Sequence, residues 1–372
     1  MAYEPKNEQW KALNAILGKE YPATVVEAMK SLYKSRDRNV RRRAAAALGY
    51  YEQAFHHQEE VRDAVMPLAR SLLADPDDQI ARYALMALTN RESAAVASDA
   101  RLIAARMRIA YDNRLIEMGA TTLAGRQAWD LLYDDLRRTA ADVACPGNES
   151  RARTRLVSLL TGIAPGLEKA PPIWGSTIAH LVSVSGVGRR AILCLKKMPG
   201  FDAGPVLQEE YRNAGTLESR VALTAALIVL KIDEDRAKKQ LIEYALQAAD
   251  RCANTQNPPD ELKTINGWLA FAAANRSDID LLRQGWNVYE RLGLRAKSRL
   301  LEEMCDEFIN NSDTMISFLC HDMRREELLD LLRQSNTLPE QIYATLLGYA
   351  LREEDAKGDE RVLLLIVREL GN

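Results

Sequence analysis

The chain has 372 residues, of which 47% are hydrophobic and 27% are charged, and its net charge is −2. This fraction of apolar residues is large enough to form a sizeable core, and such a composition excludes an intrinsically disordered chain. The longest apolar run, residues 221–230, is too short to cross a bilayer, and period-two runs of β-branched residues are scarce. We therefore expect an all-α cytoplasmic protein without membrane contact.

Two neighbouring segments near the N-terminus repeat each other at an offset of forty residues. The first copy carries Val25, Leu32, Asp37, Val40, Arg42, Ala44 and Leu48, and the second carries Val65, Leu72, Asp77, Ile80, Arg82, Ala84 and Leu88. Each copy predicts an apolar helix, a polar turn and a second, alanine-rich helix. Gly49 is predicted to end the second helix of the first copy. A period of this length indicates stacked helical hairpins.

The turns of both copies resemble a known family. Asp75-Pro76-Asp77-Asp78-Gln79-Ile80-Ala81-Arg82 is similar to the turn of HEAT-like repeats of the phycobilisome-lyase type, in which Asp-Pro-Asp precedes a hydrophobic residue, an arginine and an alanine-rich run. The resemblance covers roughly residues 20–125. It implies an α-solenoid of stacked antiparallel helical hairpins, as in HEAT and armadillo proteins, with a binding role. It implies no catalytic residue.

The helical pattern continues more weakly downstream. A third hairpin is predicted within residues 101–123, where Ile109 lies thirty-six residues after Leu73. The breakers in residues 145–148 then favour two domains, a net basic region of regular repeats over 1–145 and a net acidic region of less regular helical repeats over 146–372. A last apolar helix is predicted at residues 361–370.

Charge is unevenly distributed along the chain. Residues 1–200 hold 29 basic and 22 acidic side chains, whereas the remainder holds 21 basic and 30 acidic ones. A basic half favours an acidic partner. That partner is another protein with an acidic surface, a nucleic acid, or the acidic half of a second copy of this chain.

The leading hypothesis is a non-enzymatic protein–protein interaction scaffold or adaptor. Such a scaffold binds its partner on the concave face, where the second helices of successive hairpins expose side chains in a row. The candidate partner-binding residues are Arg41, Arg43, Gln79, Arg82 and Tyr83. A structural alternative remains for the arginines of the repeat, because Asp37 with Arg42, and Asp77 with Arg82, are placed to pair between neighbouring hairpins.

A nucleic-acid-binding solenoid is the rival hypothesis. Residues 181–192 resemble a helix-hairpin-helix element, in which a Gly-hydrophobic-Gly turn offers backbone N–H groups to a DNA phosphate. The candidate phosphate-binding residues are Gly186, Gly188, Arg189 and Arg190. Ser185 and Ile192 depart from the family pattern, and a simple turn between two repeat helices explains the same glycines.

Candidates for chemistry are few. The sequence has no Walker loop, no nucleophile elbow and no compact metal-ligand spacing, and its five cysteines are widely separated. HEAT-like DNA glycosylases use aromatic and acidic side chains in a basic groove, for which Trp129, Trp174 and Trp268 are available. Nothing in the sequence places them together. We therefore predict no catalytic residue, no cofactor and no metal.

Overall fold

The computed structural model describes residues 22–55, 59–89, 97–252 and 258–307, together with short helical stretches between residues 315 and 348. All regular secondary structure in these residues is helical. The predicted all-α class is therefore confirmed. Among the described helices, none combines the length and the apolarity needed to cross a bilayer.

The chain divides into two compact units. The first consists of Met1–Thr177 with Lys197–Phe201, and the second of Ile178–Lys196 with Asp202–Asn372. This division lies further along the chain than the domain boundary predicted after residue 145. The boundary predicted after residue 145 was based on charge and on helix-breaking residues, and it stays a prediction about where the regular repeats end.

Eight α-helices lie wholly within the first unit, in the part that the structure describes. They are α1 (Pro22–Tyr33), α2 (Arg38–Phe55), α3 (Glu59–Leu73), α4 (Asp78–Thr89), α5 (Ala97–Ile109), α6 (Asn113–Gly125), α7 (Trp129–Asp142) and α8 (Glu149–Ile163). The helices pack as four hairpins, which are α1 with α2, α3 with α4, α5 with α6 and α7 with α8. The second helices α2, α4, α6 and α8 contact one another in chain order, and so do the first helices α1, α3, α5 and α7.

The turn between the two helices of a hairpin is built by aspartates. Asp37 Oδ1 accepts the N–H of Asn39 at 2.7 Å, and Asp77 Oδ1 accepts the N–H of Gln79 at 3.0 Å. Asp112 likewise accepts the N–H groups at the start of α6. Each carboxylate satisfies donors that a helix N-terminus leaves unpaired, which explains why the repeated Asp precedes each second helix.

Two details of the predicted hairpins are wrong. Gly49 does not end its helix, since α2 continues to Phe55. A Cβ on Gly49 would lie 2.9 Å from the carbonyl oxygen of Tyr83, so this glycine permits the close approach of α2 and α4. Leu32, predicted on the apolar stripe of α1, is 51% exposed.

The second unit repeats the hairpin pattern. Its α-helices include α10 (Gly188–Leu195), α11 (Gly204–Asn213), α12 (Leu217–Val229), α13 (Glu234–Asp250), α14 (Asp260–Arg276), α15 (Ile279–Val288) and α16 (Leu294–Glu307), and the division between the units falls within α9 (Ile173–His180). Helices α12, α14 and α16 contact one another in order, and α13 contacts α15. The helix predicted at residues 361–370 lies outside the described residues.

Candidate functional site

The arginines of the repeat pair with aspartates of the next hairpin. Arg42 donates to both carboxylate oxygens of Asp77, from Nε at 2.9 Å and from Nη2 at 3.4 Å. Arg38 Nε donates to the same carboxylate at 2.6 Å. One hairpin later, Arg82 Nη1 lies 3.5 Å from Asp112 Oδ2. We call these contacts the Arg–Asp ladder. Both arginines pair with an aspartate, but with that of the next hairpin: Arg42 with Asp77 rather than Asp37, and Arg82 with Asp112 rather than Asp77.

Asp77 is the central acceptor of the ladder. Its residue surface is 8% exposed, and burial by itself raises the pKa of a carboxyl group. Hydrogen bonds from Arg42, Arg38 and the Gln79 amide outweigh burial and lower the pKa of Asp77 to about 2. The ionised carboxylate is therefore favoured in the folded protein.

We expect Asp77→Asn to lower the free energy of unfolding by about 1–2 kcal/mol at neutral pH, because charge-assisted hydrogen bonds are lost. Because the pKa of Asp77 is lower in the folded protein than in the unfolded chain, its ionised carboxylate stabilises the fold at pH values above the unfolded pKa of about 4. This stabilisation is lost as pH falls toward 2. The difference between wild type and variant should shrink over that interval. Chemical denaturation at several pH values measures it, with exposed Asp63→Asn as the control. A constant difference from pH 6 to pH 2 would contradict this role.

The two predicted arginines of α2 have different environments. Arg41 Nη1 donates to the carbonyl oxygens of Ser35 and Arg36, at 3.0 and 3.1 Å, and so holds the turn before the helix. Arg43 is exposed. Arg43 is therefore the better reporter of partner binding, because its replacement leaves the turn contacts of Arg41 in place.

An arginine and two tyrosines meet on the neighbouring second helices. The Arg82 guanidinium lies 5.4 Å from the ring centroid of Tyr83, and the rings of Tyr83 and Tyr50 are 6.2 Å apart. All three residues and Gln79 are half-buried. Sequence reasoning missed Tyr50, which follows Gly49, the residue at which α2 approaches the Tyr83 backbone. We call Arg43, Tyr50, Gln79, Arg82 and Tyr83 the second-helix surface.

In the second unit, the predicted phosphate-binding turn makes internal contacts. Gly186 has φ +76° and is exposed, so it supplies the left-handed conformation that the turn requires. The N–H groups of Val187 and Gly188 both donate to the carbonyl oxygen of Val184, at 3.0 Å each. A Cβ on Gly188 would lie 2.3 Å from the Val182 carbonyl oxygen. Both glycines therefore have a structural role in the turn.

Arg189 also has partners within the second unit. Its guanidinium donates to Glu307 and lies 5.4 Å and 5.7 Å from the ring centroids of Trp268 and Phe271. Arg190 is half-buried on the same helix. These contacts give Arg189 a packing role, and phosphate binding by this turn stays a prediction.

The tryptophans named for a glycosylase are core residues. Trp129 and Trp174, in the first unit, are 6% and 1% exposed, and their rings meet edge to face at 5.4 Å. In the second unit Trp268 packs edge to face on Phe271 at 5.6 Å. Because these rings are buried, packing of the core accounts for the three tryptophans.

Comparisons with known proteins add little to this geometry. No protein-family model and no curated protein matches the chain. A solved structure from work on a conserved phosphorylation switch, which controls the interaction between cadherin and β-catenin, aligns over 93% of this chain and 87% of that chain. Its sequence identity is 12% and its TM-score is 0.29, values too low to carry an argument.

Proposed function

We propose that the protein is a non-enzymatic α-solenoid of the HEAT-like kind that binds a partner protein through its second helices. What supports the solenoid is the order of packing, in which each second helix of the first unit contacts the next one along the chain. Successive hairpins of this kind present a continuous row of side chains, which is how repeat proteins form extended binding faces.

The observation that carries the proposal is the arrangement of Arg82, Tyr83 and Tyr50. Tyrosine and arginine are enriched among the residues that dominate binding energy at protein interfaces. Here they are already packed against each other before any partner binds, at 5.4 and 6.2 Å. Ordered side chains lose less entropy on association, so this group is suited to anchor a partner.

The charge of the surface indicates the chemistry of the partner. Arg43 is exposed on the same helix as Tyr50, whereas the charge of Arg82 is already paired with Asp112 at 3.5 Å. A partner that places carboxylates opposite Arg43 and apolar or aromatic side chains opposite the tyrosines complements both features. We propose an acidic protein surface rather than nucleic acid, because two of the five residues of this surface are tyrosines and only one, Arg43, is an exposed charge.

The test is co-purification of partners with the tagged full chain from its native cells, with and without nuclease. We expect a discrete protein that persists after nuclease and whose recovery falls about tenfold or more with Arg43→Glu and Tyr83→Ser combined. Exposed Arg212→Glu, in the second unit, is the matched charge control and should leave recovery unchanged.

Two results would contradict the proposal. If the double variant recovered as much of the partner protein as wild type does, the second-helix surface would not be the binding site. Loss of every associated protein on nuclease treatment would instead favour the nucleic-acid hypothesis, whose binding must weaken steeply as salt rises.

A further inference from the structure

A different surface of the first unit is apolar and exposed. On α5, Leu102 and Ile109 are 42% and 63% exposed, and exposed Ala105 lies between them. This spacing of three and four residues places the three side chains on one face of the helix. Tyr111, just beyond the helix, is 74% exposed. We call Leu102, Ala105, Ile109 and Tyr111 the α5 stripe.

The α5 stripe concentrates exposed apolar surface. Six large hydrophobic side chains are exposed among the described residues, and three of them belong to this stripe. The opposite side of the same helix supplies the core with Ile103, Ala104 and Met107. Scattered exposed hydrophobic residues are normal, whereas a contiguous group marks an interaction surface.

Tyr111 is held in place by its neighbours. Its backbone N–H donates to Asp78 Oδ2 at 2.7 Å, and Asp112 donates its N–H to the same oxygen at 2.7 Å. The Arg151 guanidinium lies 3.8 Å from the Tyr111 ring centroid. The ring is therefore ordered although most of it faces solvent, and a partner that contacts it does not bear the cost of fixing it.

The stripe is bordered by positive charge. Arg101 and Arg108 are exposed on α5, and neither forms an ion pair within the described part of the chain. Arg108 also lines a hollow of ≈ 170 Å³, whose charged residues are four arginines and two aspartates, namely Arg108, Arg138, Arg151, Arg155, Asp135 and Asp142. Because Arg155 pairs with Asp135 at 2.7 Å, three guanidinium groups remain beside one carboxylate.

We propose that the α5 stripe is a docking surface for an acidic amphipathic helix of a partner protein. Leucine-like side chains at helical spacing would cover Leu102, Ile109 and Tyr111, and flanking carboxylates would meet the arginines. Aliphatic side chains form most of the stripe, which favours apolar anchors over stacked nucleobases. The stripe lies on a first helix, and its Ile109–Tyr111 end borders a hollow that Gln79 and Arg82 also line. Arg43 and Tyr83 do not line that hollow, so substitutions there test the second-helix surface without changing the stripe.

The test uses fluorescence anisotropy with the full chain and three labelled synthetic peptides of about 18 residues, long enough for five helical turns. The first places leucines at i, i+3, i+4 and i+7 among glutamates, the second scrambles that order, and the third replaces the glutamates with lysines. We expect the first to bind at least about tenfold more tightly than the others, with an affinity that falls as salt rises. Equal binding of all three, or no binding of the first, would overturn the proposal.

Variants locate the binding. Ile109→Ser and Arg108→Glu should each weaken binding of the first peptide by about tenfold, a loss expected when one anchor or one complementary charge is removed. Leu246→Ser, at a side chain 37% exposed on α13, is the control and should change nothing. Unchanged binding by both stripe variants would overturn the assignment.

Two further results separate this proposal from its alternatives. A DNA duplex whose binding is abolished by Arg108→Glu but unaffected by Ile109→Ser would assign the arginines to phosphates and overturn the peptide proposal. The combined Arg43→Glu and Tyr83→Ser variant leaves the α5 stripe intact, so it should bind the first peptide as wild type does. The two sets of variants therefore distinguish a failure of the second-helix proposal from a failure of the stripe proposal.

Discussion

Asp135→Ala is expected to lower the free energy of unfolding by about 3–5 kcal/mol, because it leaves a buried guanidinium without its carboxylate. Asp135 and Arg155 are 4% and 9% exposed, and Arg155 Nη2 donates to Asp135 Oδ2 at 2.7 Å. Arg155 also donates to Thr139 Oγ1 at 3.2 Å and to the carbonyl oxygen of Ala110 at 3.4 Å. One side chain thus connects α8 with α7 and with the end of α5.

Guanidinium unfolding of the full chain measures this loss, and the neighbouring Asp134→Ala is the matched control. Asp134 is exposed on the same helix, so its removal should change stability by less than about 0.5 kcal/mol. A double variant, Asp135→Leu with Arg155→Met, should recover most of the lost stability, because apolar replacement of a buried pair is often neutral. Equal effects of the two alanine variants would show that the buried pair contributes nothing measurable.

Gly162→Leu is the second substitution with a large expected effect, a loss of about 3 kcal/mol or more from overpacking. A Cβ on Gly162 would lie 2.4 Å from the Glu117 carbonyl oxygen and 2.6 Å from the Ala120 Cβ. The first contact is with backbone, so no rotamer change relieves it. Helices α6 and α8 would have to separate, which removes part of the packing between consecutive second helices.

Gly125→Leu is the control for this substitution. Gly125 is the exposed last residue of α6, and a Cβ there meets nothing within 4 Å. We expect its thermal midpoint to match wild type, while Gly162→Leu unfolds several degrees lower. Similar midpoints for the two variants would contradict the tight contact between α6 and α8.

The regular hairpins were predictable because their signal is local. Apolar spacing placed the second helix of the second copy at Ile80, Ala84 and Leu88, and all three are buried in α4. The pairing of the repeat's arginines with aspartates was also predicted, but the partners were not, since each arginine reaches the aspartate of the following hairpin. The close approach of α2 and α4 depends on Gly49, where an added Cβ would lie 2.9 Å from the Tyr83 carbonyl oxygen, and the sequence predicted only a helix end at this glycine.

The surfaces were less predictable because exposure depends on neighbours that are distant in sequence. The repeat register aligns Ile109 with Leu73, yet Leu73 is 2% exposed and Ile109 is 63% exposed. Tyr50 was missed for a similar reason, since its relation to Tyr83 exists only after α2 and α4 pack together. Periodicity identifies an apolar position, but only packing determines whether another helix covers it.

The Arg–Asp ladder has a direction along the chain. An arginine of one second helix reaches forward to the aspartate that begins the next, from Arg42 to Asp77 and from Arg82 to Asp112. A tandem duplication of one complete hairpin would supply both a new arginine and a new acceptor, so the added copy would join its neighbours without further substitution. Duplication of a first helix alone would supply neither of them, because both the arginine and the capping aspartate belong to the second helix. The ladder therefore favours growth of the chain by units that contain a complete second helix with its aspartate.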